Sequence, residues 1–415
     1  MERVILHCDL NSFYASVELL SLPELRGSGK PVAVCGDPEA RHGVILAKNE
    51  AAKALGVKTA ETVWQARRKC PGLVLLPSHH KEYSRWSGVV NEIYNRFTDL
   101  VEPFSIDESW LDVTGSLHLW GGDPRGMGDL VRETVKRETG LTLSVGVSFN
   151  KIFAKMGSDY KKPDATTLIT RENYRELLWP LPVTDLLFVG RAAAGLLKGY
   201  GVRTIGDLAR FDREALVTIL GKQGATLHDY ATGNEQEPVS PANAAAPPKS
   251  VGSGLTFKRN LLGWEDVRSG VAALSDEVAG RLRRHGLKCA TVQVTIRDPN
   301  FKDICRQKPL SAPSQTAREI GGAALELITA SWNIKSPIRA LTITGQNLVG
   351  EDVVAEQLSL FEEEAAPRRE RLEKLEHTMD KIRHKYGDGA ITFTSAVRED
   401  LGLGEEGKPP PPDGD

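Results

Sequence analysis

"PFSIDESWLDVTG", residues 103–115, places two carboxylates side by side inside a run that otherwise reads as buried strand. Ile106, Trp110, Leu111 and Val113 are apolar or aromatic, and Asp107 and Glu108 lie among them. Adjacent carboxylates repel and resist burial. In a regular strand their side chains leave on opposite faces, so they converge only at a hairpin tip or a bulge. A third carboxylate, Asp9, lies near the end of the apolar run "RVILHCDL", residues 3–10. If the two strands pair, three carboxylates meet at one sheet edge. That cluster becomes favourable when it binds hard divalent cations, which prefer carboxylate oxygens. From spacing alone, the alternative is a pair of solvated turn acids.

The bulk properties narrow the field. A chain of 415 residues suggests two to four domains at about 100–200 residues each. At 40% hydrophobic and 26% charged residues the composition is that of a soluble globular protein. Apolar stretches such as "VILH" and "GLVLLP" fall far short of the ~20 residues of a membrane span. The start "MERVILHCDL" carries Glu2 and lacks the small-residue cleavage site of a signal peptide, so a cytoplasmic location is expected. Cys8, Cys35, Cys70, Cys289 and Cys305 form no CxxC pair, which argues against a zinc site or disulfide framework. His79-His80 lacks ligand companions and reads as a solvated loop. The net charge of −2 is segregated. Lys249–Arg339 holds 15 Lys/Arg against 8 Asp/Glu, or +7, whereas the chain from Gln346 onward holds 9 against 17, or −8. A basic domain followed by an acidic tail suggests nucleic-acid contact in the first and solvation or partner binding in the second.

Along the chain, "NSFYASVELL" has a cap signal and helical spacing at Phe13, Val17 and Leu20. "PVAVCGD" and "GVILAKN" are strand-like; "NEAAKALG" and "TVWQARRKCPG" are helices stopped by Gly56 and by Pro71-Gly72. Residues 182–232 read as wholly helical, and "VGRAAAGLLKGYGVRTIGDLA" resembles a helix-hairpin-helix, which presents backbone N–H groups to DNA phosphates. "NEQEPVSPANAAAPPKS" has linker composition. In "KCATVQVTIRD" Ala290, Val292, Val294 and Ile296 alternate with polar residues, the pattern of a half-buried antiparallel strand. The expected unit is a small sheet with one face under two helices and an open polar face carrying Arg297, Arg306 and Lys308. In the tail, "RRERLEKLEHTMDKIRHKY" spaces Leu372, Leu375, Met379, Ile382 and Tyr386 by three and four, an amphipathic helix over 367–386. The end, "EEGKPPPPDGD", reads as disordered.

"HCDLNSFYASVE", "SIDESWLDVT", "SVGVSFNKIFAKMGSDYKKP" and the helix-hairpin-helix, in this order, resemble Y-family DNA polymerases, most closely the DNA polymerase IV branch of bacterial translesion enzymes. The resemblance covers roughly residues 1–350. It implies an α+β, multidomain right-hand polymerase: palm at 1–10 and 77–167, small fingers at 11–76, helical thumb at 168–233, linker at 234–249, DNA-binding little finger at 250–347, and an acidic tail at 348–415. The implied activity is low-fidelity DNA-directed synthesis past template lesions, without proofreading, by a chain expected to be a monomer. Its substrates would be primer-template DNA and dNTPs.

The resemblance also implies roles for single residues. Asp9, Asp107 and Glu108 match the catalytic carboxylates. With the backbone carbonyl of Leu10 they would hold two Mg²⁺ ions. Tyr14 matches the steric gate, a ring below the sugar that clashes with a ribose 2′-OH. Phe13 is expected beside the nucleotide, and Lys162 matches the lysine that reaches the triphosphate. Many relatives grip the triphosphate with Thr, Tyr and Arg, where this chain has Ala47, Glu50 and Lys53; Lys53 keeps a positive charge and Lys48 is a candidate substitute. A second acid common after the first strand is Asn11 here. "QLSLF", residues 357–361, resembles the pentapeptide that binds the bacterial sliding clamp, with Gln357, Leu358, Leu360 and Phe361 as its contacts. The competing class is an inert clamp-bound adaptor, which would have lost carboxylates; this chain keeps all three.

Overall fold

A computed structural model describes residues 2–37, 43–241, 247–351, 365–393 and 398–403. The chain forms two compact units that divide between residues 245 and 246. The strands of the first, in chain order, are β1 (Ile5–Leu10), β2 (Val32–Cys35), β3 (Ile45–Lys48), β4 (Val74–Leu76), β5 (Val101–Pro103), β6 (Glu108–Asp112), β7 (Leu143–Ser148) and β8 (Thr166–Leu168). They build a five-stranded sheet in the order β5-β6-β1-β7-β8 and a three-stranded sheet in the order β3-β2-β4.

Every residue of β1 is buried because both faces of the large sheet are covered. Leu6, Cys8 and Leu10 pack with Tyr83, Val90 and Val131, which come from the helices His80–Tyr94 and Pro124–Thr139. Ile5, His7 and Asp9 point the other way, toward the helix Lys151–Tyr160. That helix lies unusually close to the sheet. A Cβ on Gly146 of β7 would sit 1.8 Å from the carbonyl oxygen of Ala154, so only glycine permits the approach.

Around the smaller sheet, the helix Val63–Lys69 starts with a Thr62/Gln65 capping box and the helix Glu50–Ala54 is capped by Asn49. Beyond β8 the first unit is helical. Arg191–Gly199 and Ile205–Arg210 are joined through Gly201, whose φ of 82° suits glycine, and Thr204 forms a capping box with Asp207. The stretch with linker composition begins as an anchored strap. Glu235 accepts from the backbone of Lys151 at 3.0 Å, Arg3 donates to the carbonyl of Glu237 at 2.9 Å, and Ser240 donates to Glu102 at 2.7 Å. Val239 is buried beside Ile5 and Trp110.

The second unit holds an antiparallel sheet of β9 (Ser250–Leu261), β10 (Leu287–Arg297), β11 (Asp303–Ser314) and β12 (Ile338–Gly350), in the order β11-β10-β12-β9. The helices Gly263–Arg284 and Ala317–Ser331 cover one face, where Val292, Val294, Ile296, Leu341 and Ile343 are buried. The register corrects the expected open face. Arg306 lies opposite Val294 and Lys308 opposite Val292, so both stand on the helix side of the edge strand. Lys308 accordingly pairs with Glu326 of the covering helix. Arg297 is on the open face with Thr291, Gln293 and Thr295, and there it pairs with Asp303 at 2.7 Å.

The helix expected at 367–386 runs Ala365–Tyr386 and packs on this unit by a charged stripe. Glu376 and Met379 are buried, while Leu375 and Tyr386 of the expected apolar face are 53% and 67% exposed. Leu401 and Leu403, farther along, join the unit's core. The segment 357–361 and the proline-rich end lie outside the described residues. Among the described residues no helix is long and apolar enough to cross a membrane, and the cysteines are free.

Candidate active site

β5 and β6 form a hairpin, and Asp107 sits at its tip, one residue before β6 begins at Glu108. This is how two neighbouring carboxylates reach one place. The tip is closed by Phe104 donating to the carbonyl of Glu108 at 2.8 Å. β1 pairs with β6 so that Asp9 lies directly opposite Glu108, and the N–H of Leu10 donates to the carbonyl of Asp107 at 3.0 Å. Asp9, Leu10, Asp107, Glu108, Phe13, Tyr14, Lys53 and Lys162 all line one cavity of ≈ 450 Å³. Of these, Phe13 is only 3% exposed and packs in the core.

Two lysines answer the three carboxylates. Lys162 donates to Asp9 and Lys155 to Glu108, each at 2.6 Å. Burial raises the Asp9 carboxyl well above the usual range despite Lys162, and the charge of Glu108 adds to the rise. Burial likewise raises Asp107, against the hydrogen bond from Ser105. Burial also opposes ionisation at Glu108, but His7 and Lys155 together outweigh it and hold that carboxyl low. The cluster therefore carries an excess of buried negative charge, which suits a divalent cation. Among the described residues no three such side chains already converge as a ready-made metal cage, because Asp9 and Glu108 are turned toward their lysines.

The sequence reading missed the group beneath Glu108. His7 is fully buried; Nδ1 lies 2.8 Å from Ser158 Oγ, and Nε2, without a hydrogen-bond partner in the described structure, lies 3.6 Å from Glu108 Oε2. Lys155 donates to the same oxygen. Two-residue alternation from Asp9 puts His7 on the same strand face, a signal present in "HCD". Lys155 had no such signal, since its contact depends on the close approach at Gly146.

The loop bearing Lys162 is pinned by Asp164, whose backbone N–H donates to Asn11 at 2.8 Å and whose carboxylate takes Arg132 at 2.6 Å and Lys136 at 2.8 Å. Asn11 is thus a bridge, donating to Ser144 as well at 2.9 Å. Lys48 lines the cavity with its Nζ 3.1 Å from Thr59 Oγ1; burial and then Lys53 depress its pKa. Glu50 lines the same wall and lies 3.5 Å from Lys53. The His79-His80 pair is no free loop: His80 begins a helix and its ring meets Tyr14 edge-on at 5.7 Å.

Three comparisons bear on the family and the fold. The impB/mucB/samB family matches residues 8–159, and its C-terminal domain matches residues 248–360. The DNA polymerase IV of Acetivibrio thermocellus is 48% identical over 387 residues, covering 93% of this chain and 96% of that protein. The DNA polymerase IV of Clostridium kluyveri is 35% identical over 407 residues, covering 96% and 99%. A solved Y-family DNA polymerase chimera superposes with a TM-score of 0.73 at 22% identity, over 83% of this chain and 99% of that one, which bears out the α+β right-hand fold. The chain belongs to the impB/mucB/samB family, in the DNA polymerase IV group of Y-family DNA-directed DNA polymerases.

Proposed function

We propose that this polymerase copies damaged templates with low fidelity and without proofreading, and that a sliding clamp recruits it through residues 357–361. The observation that carries the reading is the pairing of Asp9 with Glu108 beside the hairpin tip at Asp107, in a cavity that Tyr14 and Lys162 also line. Asp9, Asp107, Glu108 and the carbonyl of Leu10 would hold two Mg²⁺ ions, which when bound neutralise charge at the attacking and leaving oxygens of nucleotidyl transfer. The primer 3′-oxygen bonds to the α-phosphorus of the dNTP, and pyrophosphate leaves. Lys155 holds one oxygen of Glu108, with the buried His7 ring beside it, and so orients the carboxylate. Lys162 serves the triphosphate as a point charge. Tyr14 lies under the sugar and excludes a 2′-OH. Residues 1–10 and 77–167 act as palm, 11–76 as fingers, 168–233 as thumb and 250–347 as little finger.

Primer extension across a panel of defined template lesions, with Mg²⁺ and the clamp, tests this reading. Insertion opposite at least one lesion and stimulation by the clamp are expected. Replacing Leu360 and Phe361 with Ala should abolish the stimulation while sparing distributive synthesis. Uniform arrest at every lesion would refute the translesion role.

The triphosphate wall gives a second expectation. Lys48, Lys53 and Lys162 attract the nucleotide and Glu50 repels it. Glu50→Gln should lower KM for dNTPs about two- to fivefold with little change in kcat, the size of one half-exposed charge contact. The gain should shrink at high salt. An unchanged or raised KM would place Glu50 outside the nucleotide's field.

A further inference from the structure

Tyr14 is braced from beneath. Its ring stacks on Tyr83 at 4.0 Å with an interplanar angle of 12°, and His80 meets both rings edge-on. Tyr83 is fully buried, and its hydroxyl is held from two sides. It donates to the carboxylate of Glu18 and accepts from the backbone N–H of His79 at 3.0 Å. Glu18 is itself only 8% exposed, and both its oxygens lie 3.0 Å from Nδ1 of His79.

The arrangement is a closed loop. Tyr14 and Glu18 are four residues apart on the helix Phe13–Leu20, hence on one face. Tyr83 comes from the helix His80–Tyr94. The ring that supports Tyr14 is therefore tied back to Tyr14's own helix by Glu18. A bond from a phenol to a carboxylate is charge-assisted and roughly twice as strong as a neutral one. A buried carboxylate is costly unless its hydrogen bonds are satisfied, and here Tyr83 and His79 satisfy it. Such a brace fixes the ring far more tightly than packing alone. A gate that separates two sugars by one oxygen atom needs that tightness, because functional geometry tolerates only about 0.5 Å of play.

We propose that Glu18, acting through Tyr83, sets the enzyme's discrimination against ribonucleotides by holding the Tyr14 ring in place. Glu18 is a positioning residue: it does not line the cavity. The inference rests on the reading of Tyr14 as the gate.

The test is single-nucleotide incorporation of dCTP and rCTP opposite a template guanine. The variants are Tyr14→Ala, Tyr83→Phe, Glu18→Leu and Glu18→Gln. Tyr83→Phe keeps the stacked ring and removes only the donor, so it answers even if Glu18→Leu fails to fold. Tyr83→Phe and Glu18→Leu should each raise kcat/KM for rCTP about tenfold, with dCTP changed less than about threefold, in keeping with the loss of one charge-assisted hydrogen bond. Glu18→Gln, whose amide oxygen still accepts from Tyr83 but without the charge, should fall between wild type and Glu18→Leu. Tyr14→Ala should lose selectivity altogether. Wild-type selectivity in Tyr83→Phe and Glu18→Leu beside a permissive Tyr14→Ala overturns the brace and leaves the gate standing. Wild-type selectivity in Tyr14→Ala removes the gate, and the brace with it.

Discussion

Asp107→Ala is expected to cut primer extension with Mg²⁺ by at least about 10³-fold, since the lost cation contact is worth several kcal/mol of transition-state stabilisation and each 1.36 kcal/mol is tenfold. The fold should survive. Asp107 sits at a hairpin tip, and what it gives the sheet is its backbone carbonyl, which accepts from Leu10 and is kept by alanine. The side chain makes one hydrogen bond of note, from Ser105 at 2.7 Å. Burial already disfavours its charge, so removing it should leave the thermal midpoint unchanged or slightly higher. Binding to primer-template DNA should persist as well. Lost activity with retained folding and DNA binding is the pattern required of a group that serves the chemistry alone. Equal, background-level extension by wild type and variant would instead identify a DNA-holding adaptor. Full activity in the variant would remove Asp107 from the reacting centre.

Why the site was partly legible in the sequence follows from the range of the signals. The strand around Asp9, the capped helices and the alternation of β10 are local patterns, and each appears where its pattern lies. The convergence of Asp9 with Glu108 is not local, because it depends on which strand pairs with which and in what register. Ordered motifs, through the resemblance they carry, supplied what spacing could not. The same register rule explains a miss: β10 alternates clearly, but the side taken by Arg306 and Lys308 depends on how the edge strand slides against it. Lys155 and Glu18 were missed because their partners, Glu108 and Tyr83, are 47 and 65 residues away. The charge segregation was real, yet its meaning was incomplete. Acids of the tail pair with bases of the domain before it: Glu373 with Lys288, Glu376 and Asp380 with Arg283, and Asp400 with Arg259. Part of the basic surface read as nucleic-acid contact is thus neutralised within the chain, so the salt dependence of DNA binding should reflect fewer phosphate contacts than the count of +7 suggests.

Arg283→Met is expected to destabilise the second unit by about 3–5 kcal/mol, the usual consequence of removing one partner from a buried ion pair. The Arg283 side chain is 2% exposed and Glu376 4%. Arg283 donates to Glu376, to Asp380 at 2.5 and 3.0 Å, and to the carbonyl of Gln315 at 2.9 Å. Glu376 also accepts from the N–H of Ala317, at the start of the helix Ala317–Ser331. Burial already raises the Glu376 carboxyl, with Arg283 and that amide opposing the rise. With methionine at 283 the carboxylate keeps its burial and loses its cation. It must then take up a proton or leave, and either course frees the helix Ala365–Tyr386 from its seat. Arg383 to Asp276, at 2.7 Å, and Glu373 to Lys288, at 3.0 Å, tie the helix at other points, and both pairs are less buried than Arg283 with Glu376. For a unit of this size the loss corresponds to a fall of about 8–15 °C in its thermal transition. Because the chain has more than one unit, hydrogen exchange over residues 365–386 is the cleaner measurement, and protection there should drop to near zero. The double variant Arg283→Met with Glu376→Met should regain most of the stability, since an apolar pair replaces a salt bridge at little net change. A single variant with wild-type protection, or a double variant no better than the single, would show that apolar contacts around Met379 seat the helix and that the ion pairs merely accompany it.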